Sequence, residues 1–523
     1  MRIGLLWGPA LFLGPLFFLP LLLVFLAADA SGFRYVAEPA SMQRIAGAVW
    51  MAFLSVLATF AVALPLAWFL HGRTFRFGRA MWAIHVAPFV MPVFVVVYGM
   101  RLTLGAQGPL AAWGIDVLGW LGPLGAVVIA HAFYNYGFAA RLLASALDRR
   151  PKKMEEAAAI LGASPLQTWR RITLPLLAPP IAAVAILVFL FSLASFGVII
   201  FMAPGQVSTL ETMLYSSMVG FPRHPERAAA LGIVQLFVNL ILLGAWVLLQ
   251  RRAQRLPAAT HAPSQAGLFA SLMAWAIAAI ATVPVLRVLA GGFRWQGEWS
   301  WEPWRALLQS AHPGHLAGFH FWQVLTRTLG YAAATVTLSV ALTLALAYGA
   351  RKFRWQRVAE AVAALPLGAS SLLIGFGLYL AWSGPFLDLR GNPALIVIAH
   401  TLVAFPFTAR ALLPAFRAHD IRLDEAASTL GASPSQVAMR IHWPLLRPAV
   451  TVAAGFAVAM SLGDYGASLL LKNSQTMTMA VWIGQFEGFD PLRRAQGVAL
   501  TGLLGLLSIT AFGLMVRAKE DAI

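Results

Sequence analysis

Apolar runs of about twenty residues, each closed by a short polar or basic stretch, follow one another along the whole 523-residue chain. A helix of that length, rising 1.5 Å per residue, crosses about 30 Å of hydrocarbon. The pattern predicts twelve spans, at roughly 4–28, 46–70, 81–101, 123–143, 177–202, 228–250, 267–290, 325–350, 360–382, 393–415, 449–471 and 495–516. The first run, Ile3 to Ala28, is too long for a signal-peptide core and shows no cleavage site, so it reads as an uncleaved span with its N-terminus inside. The predicted fold class is an all-α polytopic membrane protein.

Two polar islands interrupt this pattern. Glu156 to Pro175 reads EAAAILGASPLQTWRRITLP and Glu425 to Pro444 reads EAASTLGASPSQVAMRIHWP, with twelve of twenty positions identical and no gap. Glu156 to Leu161 is rich in helix formers. Gly162 follows where a helix C-terminus favours positive φ. Ser164, Pro165 and Gln167 then match an N-cap, a first-turn proline and the third position of a capping box. The expected structure is helix, glycine turn and short capped helix, stopped near Pro175. Gly431, Ser433, Pro434, Gln436 and Pro444 repeat each device. One such island is an ordinary connector between spans; two with matched offsets point to a shared role.

The offset between the islands, 269, also carries His131 to His400, Arg141 to Arg410, and Ser192–Gly197 onto Ser461–Gly466. Shared landmarks at one offset indicate duplication of a whole unit. The expected organisation is a first repeat over 1–250 (spans one to six, polar loop 148–176), a cytoplasmic linker over 251–266, and a second repeat over 267–523 (spans seven to twelve, polar loop 417–445). Both six-helix repeats face the same way, which predicts a parallel repeat with a pseudo-twofold axis along the membrane normal.

Composition agrees: 60% of residues are hydrophobic, 11% are charged and mean hydropathy is +0.75. That excludes an ordinary soluble domain. The net charge of +18 does not point to nucleic acid, because the basic residues are spread over short loops. With the N-terminus inside, the inner loops hold Arg73, Arg76 and Arg79; Arg149, Arg150, Lys152, Lys153, Arg170 and Arg171; Arg251, Arg252 and Arg255; Arg351, Lys352, Arg354 and Arg357; and Arg517 and Lys519 at the C-terminus. The outer loops carry fewer, such as Arg34, Arg223 and Arg390, as the positive-inside bias requires. Both polar islands and both termini are then cytoplasmic. The chain has no cysteine, so no thiolate site or disulfide is available.

Asp464 is placed in the interior of the predicted eleventh span, where an ionised side chain costs about 2.5–3.5 kcal/mol and is expected to face a cavity or a partner. Its repeat mate is Ser195, and Phe196 and Tyr465 are paired beside them. Two readings stand. Either Ser195, Phe196, Asp464 and Tyr465 line a substrate path, where a carboxylate with aromatics suits a flat-ringed cation, or Asp464 pairs with an Arg or His of a neighbouring span and holds the bundle together. Arg141 and Arg410, near the inner ends of spans four and ten, are expected to snorkel. His131 and His400 are read as interhelical hydrogen-bonding groups rather than metal ligands, since no second ligand lies at helical spacing. No metal site is expected. There is no phosphate loop of the form GxxxxGK[ST], no HExxH and no GxSxG, so no catalytic residue is assigned and the driving energy comes from another chain or an ion gradient.

The islands resemble the EAA loop of ABC-importer permeases (the MetI-like fold). Glu156, Ala157, Ala158, Gly162, Ile172, Leu174 and Pro175 fit that pattern fully, and the second copy departs once, at Trp443. Two copies in one chain resemble a fused permease. The resemblance implies a membrane subunit of a bacterial inner-membrane, binding-protein-dependent importer. It implies homodimeric ABC ATPase subunits docked on the two loops, an extracytoplasmic (periplasmic) binding protein, and no cofactor in this chain, ATP being bound by the partner ATPase. The coupling residues it implies are Glu156, Ala157, Gly162, Glu425, Ala426 and Gly431. The fused layout is shared by thiamine-type and ferric-iron-type permeases; Ala130–Asn135, Ala194–Phe196 and Ser461–Gly466 are more similar to the thiamine branch. Ferric-iron import is the alternative substrate, and a twelve-span secondary transporter the alternative class, against which the duplicated loops speak.

Overall fold

The computed structural model describes residues 9, 12–253, 264–309, 320–353, 356–383, 388–418, 421–487 and 491–520. Most of the run ahead of Phe12, linker residues 254–263 with Arg255, and Arg354 lie outside the described residues. Among the described residues, ten helices are long and apolar enough to cross a membrane: Pro39–Leu70, Val93–Trp113, Val117–Leu147, Pro165–Leu193, Pro225–Ala253, Leu268–Gly291, Phe321–Ala350, Pro393–Ala418, Pro434–Gly463 and Pro491–Met515. Two bent pairs bring the number to twelve. Gly14–Ala27 meets Ala30–Ala37 at 79°, and Val358–Gly368 meets Ser371–Ala381 at 89°.

Several predicted spans are therefore not straight rods. The ninth turns at Ala369–Ser370, where the extended backbone of Ser370 lets its hydroxyl accept the Leu373 N–H at 3.1 Å and start a new helix. The third is two helices, Gly78–Val90 and Val93–Leu104, with a break before Pro92, which has no N–H to continue the ladder. The fifth and eleventh end early, at Leu193 and Gly463, and short helices Gly197–Met202 and Gly466–Leu471 follow. Asp464 is consequently not inside a span helix. It is the extended residue (φ −70°, ψ 118°) at the break.

The helices pack into two compact units. One comprises Ala30–Phe89 and Val96–Arg287; the other gathers Val288–Ile523 with Met1–Asp29 and Val90–Val95. In the first unit, Ala63, Ala67, Ala139 and Ala140 are fully buried, and small side chains of this kind let helices approach closely. In the second unit Phe376, Phe405, Leu378 and Leu412 are fully buried.

Packing thus departs from the sequence halves at the first helix of each and at Val90–Val95. Leu19–Ala27 packs on Ser371–Ala381, and a Cβ on Gly377 would stand 3.1–3.2 Å from Pro20. In the other unit, a Cβ on Gly99 would stand 2.9 Å from the carbonyl oxygen of Pro284 in the seventh span. A glycine in the third helix of one repeat receives a proline from the first helix of the other, and this happens in both units.

Candidate functional site

The polar islands form two near-identical elements. Lys152–Ile160 and Ile421–Thr429 are helical. Gly162 (φ +81°) and Gly431 (φ +80°) end them. Ala163 N–H donates to Ala158 O at 3.0 Å and Gly162 N–H to Ala159 O at 3.0 Å; Ala432 and Gly431 donate likewise to Ala427 and Ser428 at 3.0 Å. This is the paired hydrogen bonding of a Schellman cap, which needs a left-handed residue where each glycine sits. The capping boxes form as the spacing predicts. Gln167 N–H donates to Ser164 Oγ at 3.3 Å and Ser164 N–H to Gln167 Oε1 at 2.9 Å; the Ser433–Gln436 distances are 3.3 and 2.8 Å.

The expected stop near Pro175 is corrected. The short helices Pro165–Thr168 and Pro434–Val437 run through π-turns, Trp169–Thr173 and Ala438–His442, directly into spans five and eleven. Pro175 and Pro444 lie in the first turn of the helix after each π-turn, where the widened ladder tolerates a missing donor. Each short helix is therefore rigidly continuous with a membrane span.

A second link, which the motif alone does not reveal, braces each element. Thr173 Oγ1 donates to Glu155 Oε1 at 2.7 Å. At the equivalent positions His442 Nε2 and Asp424 Oδ1 are 2.8 Å apart, and His442 Nδ1 is 2.6 Å from the Tyr348 hydroxyl. The acidic residue before the motif glutamate thus ties the first helix to the span. Its signal was present in the sequence, since 155 and 173 map onto 424 and 442 at the repeat offset. Glu156, Ala157, Glu425 and Ala426 are left exposed. Beside them Leu161 and Leu430, at equivalent positions, are each 87% exposed, and Ile160 next to Leu161 is 86% exposed.

At the break in span eleven, Asp464 is enclosed. Ser371 Oγ donates to Oδ1; Ser468 N–H and Oγ both lie 3.0 Å from Oδ2; His400 Nε2 is 3.4 Å from Oδ2. His400 also reaches Ser461 Oγ and Ser468 Oγ, each at 2.8 Å. Asp464 is thus paired with a histidine of a neighbouring span. The carboxylate receives the N–H of Ser468 and so caps the short helix Gly466–Leu471. Tyr465 is buried, edge-on to Phe94 at 5.3 Å between ring centroids.

The first repeat builds the corresponding break differently. Ser195 is half-buried and Phe196 buried, tilted against Tyr215 at 5.2 Å. His131 Nδ1 turns to Ser55 Oγ at 3.0 Å, an interhelical bond of the kind expected. His131 Nε2 and Ser192 Oγ, buried, have no hydrogen-bond partner among the described residues. Arg141, exposed, lies over the Trp82 ring at 4.7 Å.

Comparison with known proteins agrees with this architecture. Residues 35–255 and 321–520 each match the family described as binding-protein-dependent transport system inner membrane component. The chain is 28% identical to the thiamine transport system permease protein ThiP of Salmonella typhimurium, over 90% of this chain and 89% of that protein. It is 28% identical to ThiP of Escherichia coli (88% and 85% covered) and 27% identical to ThiP of Brucella suis (96% and 92% covered). With both repeats matched and the two capped loops in place, the chain belongs to the family of binding-protein-dependent transport system inner membrane components.

Proposed function

We propose that this chain is the permease subunit of an ATP-driven importer of thiamine or its phosphates, supplying both repeats from one polypeptide. The thiamine assignment rests on relatives named for thiamine transport that align over most of the chain. The observation that carries the coupling role is the pair of Schellman-capped, capping-box loops that hold Leu161 and Leu430 out and run unbroken into membrane spans. In this reading a homodimeric ABC ATPase docks on the two loops. Glu156, Ala157, Gly162, Glu425, Ala426 and Gly431 form the contact, and ATP is bound by that partner, so this chain needs no cofactor and catalyses no reaction. An extracytoplasmic binding protein delivers substrate to the opposite face. The protein sits in the inner membrane with both termini and both loops cytoplasmic. Ser195 and Phe196 in the first repeat, and Asp464 and Tyr465 in the second, are assigned to the substrate path.

The test is uptake of labelled thiamine by cells with and without the chain, with labelled ferric iron run alongside, and co-purification of an ATPase with wild type and with Leu161→Asp/Leu430→Asp. Loss of thiamine uptake alone, with the ATPase retained by wild type and lost from the double variant, is expected. Loss of ferric uptake instead would overturn the substrate, and undiminished ATPase capture by the variant would overturn the docking surface.

A further inference from the structure

The chain between spans seven and eight carries a module with no counterpart in the first repeat, where Ala28–Glu38 leads almost directly into the second span. Arg294–Trp295 and Glu298–Trp299 form a β-hairpin. Gln296 (φ +51°) and Gly297 (φ +88°) make its two-residue turn, both left-handed, as a type I′ turn requires. Helix Glu302–Gln309 follows, with Pro303 and Leu307 buried and Arg305 outward. The helix and the first strand pack on the last span, where a Cβ on Gly292 would come 2.9 Å from Ala499 Cα. Phe293 holds the module together, edge-on to Trp301 at 5.0 Å and against Trp304 at 5.8 Å.

What this module displays is aromatic. Trp299 and Trp301 are each 68% exposed, Leu308 is 52% exposed, and Trp322, in the first turn of span eight, is 62% exposed. Arg294 lies 5.4 Å from the Trp299 ring centroid. The module's height in the membrane follows from helix length. Leu268–Gly291 has 24 residues, about 36 Å of helix against about 30 Å of hydrocarbon, so the hairpin emerges at the level of the headgroups. Charge also decides. Arg294 and Arg305 are balanced by Glu298 and Glu302, which leaves a neutral surface with no electrostatic demand on its partner. A neutral, indole-rich surface packed on the last span fits the boundary between acyl chains and headgroups, where tryptophan combines an apolar ring with an N–H donor.

We propose that Trp299 and Trp301 insert into the headgroup–acyl boundary of the leaflet opposite the capped loops, anchoring the end of span seven and the start of span eight at fixed depth. Only the name of that leaflet, extracytoplasmic, rests on the orientation proposed above. Because anchoring is aromatic and the module is neutral, it is indifferent to lipid charge.

The chain's lack of cysteine makes the wild-type protein the background for single-site labelling. Trp299→Cys and Trp301→Cys, with Ser474→Cys in an exposed turn between spans eleven and twelve as control, are labelled with an environment-sensitive nitrobenzoxadiazole dye. They are reconstituted in dioleoylphosphatidylcholine vesicles with and without phosphatidylglycerol. The expected result at 299 and 301 is blue-shifted emission, most of it lost to headgroup-proximal spin-labelled lipid and little of it to iodide, alike in both vesicles; position 474 shows the reverse. Iodide quenching at 299 and 301 equal to that at 474 would overturn the proposal. So would shielding that appears only on adding the cognate extracytoplasmic binding protein, which would make the module a protein-docking site.

Discussion

His400 Nε2 and Asp464 Oδ2 lie 3.4 Å apart, with side chains only 1% and 2% exposed. Neither group has solvent to fall back on, so removing one leaves the other buried with a lost partner. Asp464→Ala and His400→Ala are each expected to lower the stability of the purified protein by about 3 kcal/mol, and the double variant by clearly less than the sum. Thermal unfolding in detergent micelles measures this. Strict additivity would show that the two side chains act separately.

Gly162 and Gly431 have open space where a Cβ would go, so only the backbone objects to substitution there. Alanine at either should cost about 1–2 kcal/mol of local strain, and asparagine, which tolerates the left-handed region, less. The expected outcome is full membrane insertion with reduced ATPase stimulation, ordered glycine, asparagine, alanine. ATPase assays on reconstituted complexes give the ranking; equal stimulation by all three would remove the glycines from coupling.

The two braces differ in strength. Thr173→Val deletes one hydrogen bond, worth about 1 kcal/mol. His442→Ala deletes the bonds to both Asp424 and Tyr348 and should loosen its element more. Hydrogen exchange followed by mass spectrometry should show faster exchange over Ile421–Thr429 in His442→Ala with Lys152–Ile160 unchanged, and a smaller, opposite pattern in Thr173→Val. Faster exchange in both elements from either change would contradict independent bracing.

At Gly99 and Gly377 the objection is steric. An added methyl must displace Pro284 or Pro20, and overpacking of this kind costs about 1–3 kcal/mol. Gly99→Leu and Gly377→Leu should lower thermal stability and expose the displaced first helix to protease, whereas leucine at the uncrowded Gly330 should do neither.

The parts legible in the sequence are those governed by neighbours along the chain. Ser164 and Gln167 stand three apart, so the capping box could be read directly, as could the left-handed glycines. The helix breaks were hidden because Gly197–Met202 and Gly466–Leu471 are as apolar as the spans they follow, and hydropathy carries no mark at Leu193 or Gly463. The partner of Asp464 was beyond reach for a different reason. The repeat offset says which residues are equivalent, and His400 was identified by it, but nothing along the chain says that Ser371 and His400 converge on one carboxylate. The brace at Thr173 and His442 lies between these cases: the spacing was present, but a threonine and a histidine share no motif, only geometry.

The placement of Pro20 against Gly377 has a consequence for biogenesis. The ribosome delivers the first helix to the membrane long before the ninth span, its eventual neighbour, has been translated. The helix must therefore wait in lipid with its packing face unclaimed while the rest of the first repeat is made. Gly99 in turn waits for Pro284. Neither repeat can close on its own helices as it emerges, so maturation is a late, concerted event. A chain interrupted at the linker would yield two fragments, each holding a helix that belongs to the other and each able to mature only by finding its counterpart.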